Sequence, residues 1–153
     1  MSIHRMTHIG ICVSNLPRAM GFYTNALGFR EVGRYRTGDA ATAAILEVER
    51  TDLELVYLER DGWRIELLHY ASPGHRGDGE RRLMNELGLT HLSFAVDDLD
   101  AVARMIAEHG GQVLDHTQAT FKSGNRGLFA LDPDGTRIEL IERRAEQSPG
   151  SGN

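Results

Sequence analysis

The chain contains one short pattern twice. "DGWRIEL", Asp61 to Leu67, returns as "DGTRIEL", Asp134 to Leu140, and "THIGICVSNL", from Thr7, returns as "THLSFAVDDL", from Thr90. Placing His8 on His91 also places Val13 on Val96, Leu16 on Leu99 and Gly28 on Gly111. The second copy is shorter between its histidine and its glutamate, but both copies open on a histidine segment and close on a glutamate segment. A repeat of this length implies two related half-domains.

The periodicities within each half agree. Ile9, Ile11 and Val13 alternate with His8, Gly10 and Cys12, as in a half-buried strand. Asn15 then caps a helix with Pro17 in its first turn, Ala19, Met20, Tyr23 and Leu27 on its apolar face and Gly28 at its end. The second copy repeats this with a strand from His91 to Val96, a cap at Asp98, apolar Leu99, Val102, Met105 and Ile106, and a stop at Gly110-Gly111. Strands are expected over 29–36, 53–58 and 65–69 in the first half, and over 112–115, 127–131 and 136–141 in the second. The predicted fold class is α+β, two βαβββ modules at 1–70 and 89–143. Residues 71–88 read as a linker ending in a short helical pattern, and 144–153 as a disordered tail. Residues 38–50 fit either a short helix or an extended excursion.

Composition narrows the partners. With 153 residues, 41% hydrophobic and 25% charged, the chain can bury a core unaided. A net charge of -5 supplies no basic stripe for nucleic acid. His4, Arg5 and His8 interrupt any N-terminal apolar run, and no window reaches the length of a membrane span, so a cytoplasmic protein is expected. Small molecules or a second copy of the chain are the expected partners. The lone Cys12 cannot form an internal disulfide and reads as a small buried residue.

Strand parity assigns the polar side chains to faces. Ile65 and Leu67 oppose Glu66; Ile138 and Leu140 oppose Glu139; His8 and His91 oppose the apolar positions of their own strands. Gly10 and Cys12, like Ser93 and Ala95, are small and leave room beside the histidines. A single glutamate on a strand is most often a solvated one, but four such residues at matched positions suggest a joint role. Two imidazoles and two carboxylates, His8, Glu66, His91 and Glu139, make a divalent-metal set suited to Zn, Ni, Co, Mn or Fe, and the carboxylates would balance the dication.

The segments "THIGICVSNLPRAMGFYTNALGF", "RIELLHY", "THLSFAVDDLDAV" and "FALDPDGTRIELIE" resemble the metal-site segments of the vicinal oxygen chelate superfamily. That superfamily includes glyoxalase I, methylmalonyl-CoA epimerase, extradiol dioxygenases and bleomycin-binding proteins. The resemblance covers residues 5 to 143. It implies mixed sheets curled into a cup around one metal with helices outside, and it places the ligands at His8, Glu66, His91 and Glu139. The cup would be built from modules of one chain or of two chains in a homodimer. Bacterial glyoxalase I has an arginine and an asparagine, each four residues after a ligand, that serve glutathione. Here those positions hold Cys12 and Tyr70. Epimerases carry glutamine at the second ligand position, where this chain has Glu66.

The expected reaction is a metal-assisted isomerase or lyase step on a substrate with vicinal oxygens. A chelated carbonyl would be polarised, with Glu139, by resemblance, as the mobile base and Glu66 opposite it. An Fe(II) dioxygenase using His8, His91 and Glu139, with a second acid such as His69, is the alternative; a metal-free binding or resistance protein is a third. "FKSGNRG" is either a basic lid, with Lys122 and Arg126 holding an anionic substrate, or an ordinary hairpin loop. Tyr57 falls opposite Glu66 if Asp61-Gly62 is a two-residue turn, which would make its ring a substrate contact or a core residue. His4, His75, His109 and His116 are assigned no role.

Overall fold

The computed structural model describes residues 2–80 and 83–143; the expected disordered tail lies outside them. The chain divides into two compact units, Met1–Asp78 and Gly79–Asn153.

The first unit contains β1 (Ile9–Cys12), α1 (Leu16–Gly21), β2 (Arg30–Thr37), α2 (Ala40–Leu46), β3 (Asp52–Arg60) and β4 (Trp63–Ser72). The second contains β5 (Leu92–Val96), α3 (Leu99–Glu108), β6 (Gln112–Thr120), β7 (Arg126–Leu131) and β8 (Arg137–Glu142). Each unit holds one four-stranded mixed sheet, and the two orders correspond: β1-β4-β3-β2 and β5-β8-β7-β6. The first and last strands of each unit pair in parallel, β1 with β4 and β5 with β8, while the remaining pairs are antiparallel. The α+β duplication expected from the repeat is therefore the architecture.

Caps and turns fall where side-chain chemistry puts them. Asn15 Oδ1 accepts from the Arg18 N–H at 2.9 Å to start α1, and Asp98 Oδ1 accepts from the Ala101 N–H at 2.9 Å to start α3. After Gly21 the helix loosens into a π-helical turn, Phe22–Ala26, that leaves Phe22 and Tyr23 fully buried. Gly28 then takes φ +66°, as a helix stop requires. Between 38 and 50 the helical alternative is realised: Asp39 caps α2 through the Thr42 N–H. The helical pattern expected at the end of the linker does not form a helix among the described residues, because 83–88 hold only turns and bends.

One face of each sheet packs against its helix. Ile65 and Leu67, Ile138 and Leu140 are at most 2% exposed, together with Val56, Leu58, Leu99 and Ile106. Parity then fixes Glu66 and Glu139 on the face away from the helices.

Candidate metal centre

His8 and His91 each stand one residue before a strand, and the parallel pairing brings them to the glutamates. Gly10 registers with Glu66, and Ser93 with Glu139. His8 Nε2 lies 3.2 Å from Glu66 Oε2, and His91 Nε2 lies 3.6 Å from Glu139 Oε2. Each ring is held by the threonine before it: Thr7 Oγ1 is 3.1 Å from His8 Nδ1 and Thr90 Oγ1 is 2.8 Å from His91 Nδ1. These threonines belong to the repeated "TH" and complete a symmetry the sequence reading had left unused.

These distances suit a cation. Two ligands at about 2.0–2.2 Å from one metal, about 90–110° apart, are separated by about 2.8–3.6 Å. In the tautomer where Nδ1–H donates to threonine, Nε2 turns a lone pair toward a carboxylate oxygen, an arrangement a cation between them stabilises. A hydrogen bond on the far nitrogen is also what orients metal-binding imidazoles. Within either unit, among the described residues, no third His, Cys, Asp or Glu joins such a group. Each unit therefore holds one histidine–glutamate pair, a candidate half-site.

Around each pair the same frame is built. Tyr57 stands opposite Glu66 across β3 and β4, as Phe129 stands opposite Glu139 across β7 and β8. Tyr57 meets the His8 ring edge-on at 5.4 Å, and Phe129 meets His91 at 5.5 Å. Arg64 lies 5.7 Å over Tyr57, and Arg137 lies 5.3 Å over Phe129.

The turns that set this register differ. Asp61 and Gly62, at φ +52° and +80°, form a two-residue hairpin of the kind that needs left-handed backbone at both positions. In the second copy Asp132 Oδ1 accepts from the N–H groups of Asp134 and Thr136, at 2.9 and 2.7 Å, and closes a longer loop.

The half-sites differ in their hydroxyls. Tyr57 stands in register with Glu66, and that carboxylate together with burial pushes its phenol up to about 12. Phe129 has no hydroxyl, and instead Ser93 Oγ donates to Glu139 Oε2 at 2.5 Å. Glu66 is the more enclosed carboxylate, its side chain 11% exposed against 25% for Glu139.

Other predicted residues fall elsewhere. Arg126 begins β7 and is committed to carboxylates, with Nε and Nη2 at 2.8 and 2.7 Å from Glu142 and Nη2 at 3.1 Å from Asp100. The two carboxylates raise its pKa, and Glu142 also accepts from the Leu99 N–H at the start of α3. Lys122 is exposed in the turn before β7. Cys12 is exposed rather than buried, because it shares with Gly10 the face of β1 opposite the buried Ile11 and Val13. With Tyr70, Arg50, His75 and Arg76 it lines an open cavity of about 860 Å³. His69 alternates to the face of β4 opposite Glu66, away from the half-site.

The fold corresponds to one protein class. Residues 5–140 match the model of the Glyoxalase/Bleomycin resistance protein/Dioxygenase superfamily, and the chain belongs to that superfamily. Among curated relatives, lactoylglutathione lyase of Salmonella typhimurium is 29% identical over 97% of this chain and 99% of its own length. The Escherichia coli O157:H7 protein of the same name is 28% identical with the same coverage. A glyoxalase family protein from Bacillus cereus superposes with a TM-score of 0.80 at 22% identity, covering 93% of this chain and 95% of the other. Glyoxalase I from Zea mays gives 0.64 at 25% identity over 91% of this chain and 44% of its own.

Proposed function

We propose that the protein is a divalent-metal-dependent lyase or isomerase of the glyoxalase type, with His8, Glu66, His91 and Glu139 as the ligands of one metal. The observation that supports this reading is the pair of matched histidine–glutamate contacts at 3.2 and 3.6 Å, each ring steadied by a threonine. The nitrogen and oxygen donors suit Zn, Ni, Co, Mn or Fe, and two carboxylates balance the dication. Bound there, the cation supplies Lewis-acid polarisation of a substrate carbonyl. The chain's own groups do the proton work. Glu139, the more exposed carboxylate, takes the proton from the carbon next to the carbonyl and, now protonated, gives it back to the neighbouring carbon, while Glu66 is the second carboxylate, opposite it. The Tyr57 ring beside His8 bounds the substrate, and Lys122 holds an anionic substituent.

The substrate is a small molecule with vicinal oxygens. Two positions that serve glutathione in bacterial glyoxalase I are Cys12 and Tyr70 here, so the reading does not extend to glutathione. The dioxygenase alternative needs an acid beside the His8, His91 and Glu139 set, and His69 faces the other way. Among the described residues no helix is long and apolar enough to cross a membrane; the reading takes the protein as a cytoplasmic homodimer.

The test is metal analysis of protein purified without added metal, followed by solvent-deuterium exchange into a panel of ketols. About one divalent ion per site is expected. Glu139→Gln should cut exchange by about 10²–10⁴-fold, the usual worth of a positioned general base. Metal content unaffected by both Glu139→Gln and Glu66→Gln overturns the ligand set. Oxygen uptake coupled to catechol ring opening under Fe(II) overturns the reaction class.

A further inference from the structure

The twin segments Asp61–Leu67 and Asp134–Leu140 differ only at Trp63 against Thr136, and both keep an arginine two residues before the glutamate, Arg64 and Arg137. Parity puts each arginine on the glutamate's face of its strand. Register puts each diagonal to an aromatic residue: Arg64 stands opposite Glu59 and Arg137 opposite Leu131, while Tyr57 and Phe129 stand opposite the glutamates. β4 lies between β1 and β3, and β8 between β5 and β7, so each aromatic ring reaches over the strand between to meet an imidazole coming from the other side. The arginine lies over that ring, at 5.7 Å in the first copy and 5.3 Å in the second. The same assembly of guanidinium, ring and imidazole therefore occurs twice.

We infer that Arg64 and Arg137 are positioning residues of the metal centre, each acting on its histidine through the aromatic ring that touches both. Comparing the copies separates this role from the others open to an arginine. Arg64 also pairs with Glu59 at 2.5 Å, but the matching position of the second copy is Leu131, so that ion pair is not what the copies share. Nor do they share a phenol, since one ring is Tyr57 and the other Phe129. What they share is a cation over a ring and that ring against an imidazole. A guanidinium plane is attracted to the ring face and holds it without a hydrogen bond. The imidazole is then fixed from two sides, by the threonine on Nδ1 and by the ring, so its Nε2 is aimed before any ion arrives. Arg137 is only 9% exposed, unusual for an arginine, and is placed to pack rather than to capture a ligand from solvent.

The inference rests on the metal reading, and its test separates the two. Apo protein is titrated calorimetrically with Co(II), the visible cobalt spectrum is recorded, and circular dichroism checks that each variant is folded. Arg137→Met, which keeps the side-chain length and removes the charge, and Phe129→Leu should each weaken cobalt binding by about 10–100-fold, the range typical of lost partners of a metal ligand. The double variant Arg137→Met/Phe129→Leu should be no weaker than Phe129→Leu alone, because without the ring the arginine has nothing to act through. Arg137→Lys, which restores a cation, should recover part of the affinity and of the wild-type spectrum. Arg64→Met, at the more exposed position, makes the same test in the other half if Arg137→Met does not fold, and Glu59→Gln should bind cobalt as the wild type does. Unchanged binding in the folded arginine variants, losses that multiply in the double variant, or Glu59→Gln as weak as Arg64→Met overturns the inference alone. A wild type that takes up no cobalt overturns the metal reading and the inference with it.

Discussion

Tyr57 carries the clearest electrostatic signature at the residue scale, a phenol pushed up to about 12 by the Glu66 carboxylate and by burial. In metal-free protein an ultraviolet titration should show a tyrosine ionising near that value, and Glu66→Gln should bring it back toward the ordinary 10 or so. The folded value lies above the unfolded one, so the contribution to stability is full below about pH 10 and is lost as pH rises toward 12. An unmoved titration in the variant would show that Glu66 is not the cause. The placement of Tyr57 opposite Glu66 was legible in the sequence, because Asp61-Gly62 is a strong two-residue turn and the turn sets the register. That its ring meets His8 edge-on was not, because parity gives a face and no rotamer. Cys12 illustrates the same limit: its strand face was readable, but its exposure beside an open cavity was not.

At the scale of elements, local signals were sufficient where caps and periods agree. Asn15 and Asp98 both cap as read, and replacing Asn15 with alanine should cost about 1 kcal/mol in a urea titration, since the Arg18 N–H loses its acceptor. Ile106, fully buried on α3, should cost about 2–5 kcal/mol on truncation to alanine, the range for emptying a packed aliphatic site. A loss within error at Ile106 would mean that α3 does not pack on its sheet. Strand ends were less legible. β4 runs on to Ser72 because backbone pairing continues past the point where apolar alternation stops, and β6 reaches Thr120 because pairing with β7, irregular after Leu114, resumes at Ala119. Arg126, which by sequence fits either a lid cation or an ordinary hairpin loop, ties the start of β7 to Glu142 on β8 and Asp100 on α3, residues 16 and 26 positions away.

At the scale of the whole molecule, surface ion pairs of the first unit lie within β2 and join β2 to β3 and β3 to β4, and their sign predicts an acid response. Hydrogen bonds from Arg34, Arg36 and Arg64 hold Glu31, Asp52 and Glu59 below the usual carboxylate range. Depressed folded values stabilise the fold above the unfolded value, and the effect is lost as pH falls through the folded one. Thermal melts followed by circular dichroism should therefore show a midpoint falling as pH drops below about 4; a midpoint constant to pH 3 would contradict it. The sequence alone determined the duplication, the α+β class and the face on which His8, Glu66, His91 and Glu139 stand, because repeats and period-2 alternation are properties of neighbours along the chain. Tertiary structure decided which groups touch those residues: that the Tyr57 ring meets His8, that Ser93 donates to Glu139, and that Arg126 is bound to carboxylates. Those contacts join strands distant in sequence, and only cross-strand register and side-chain rotation bring them together.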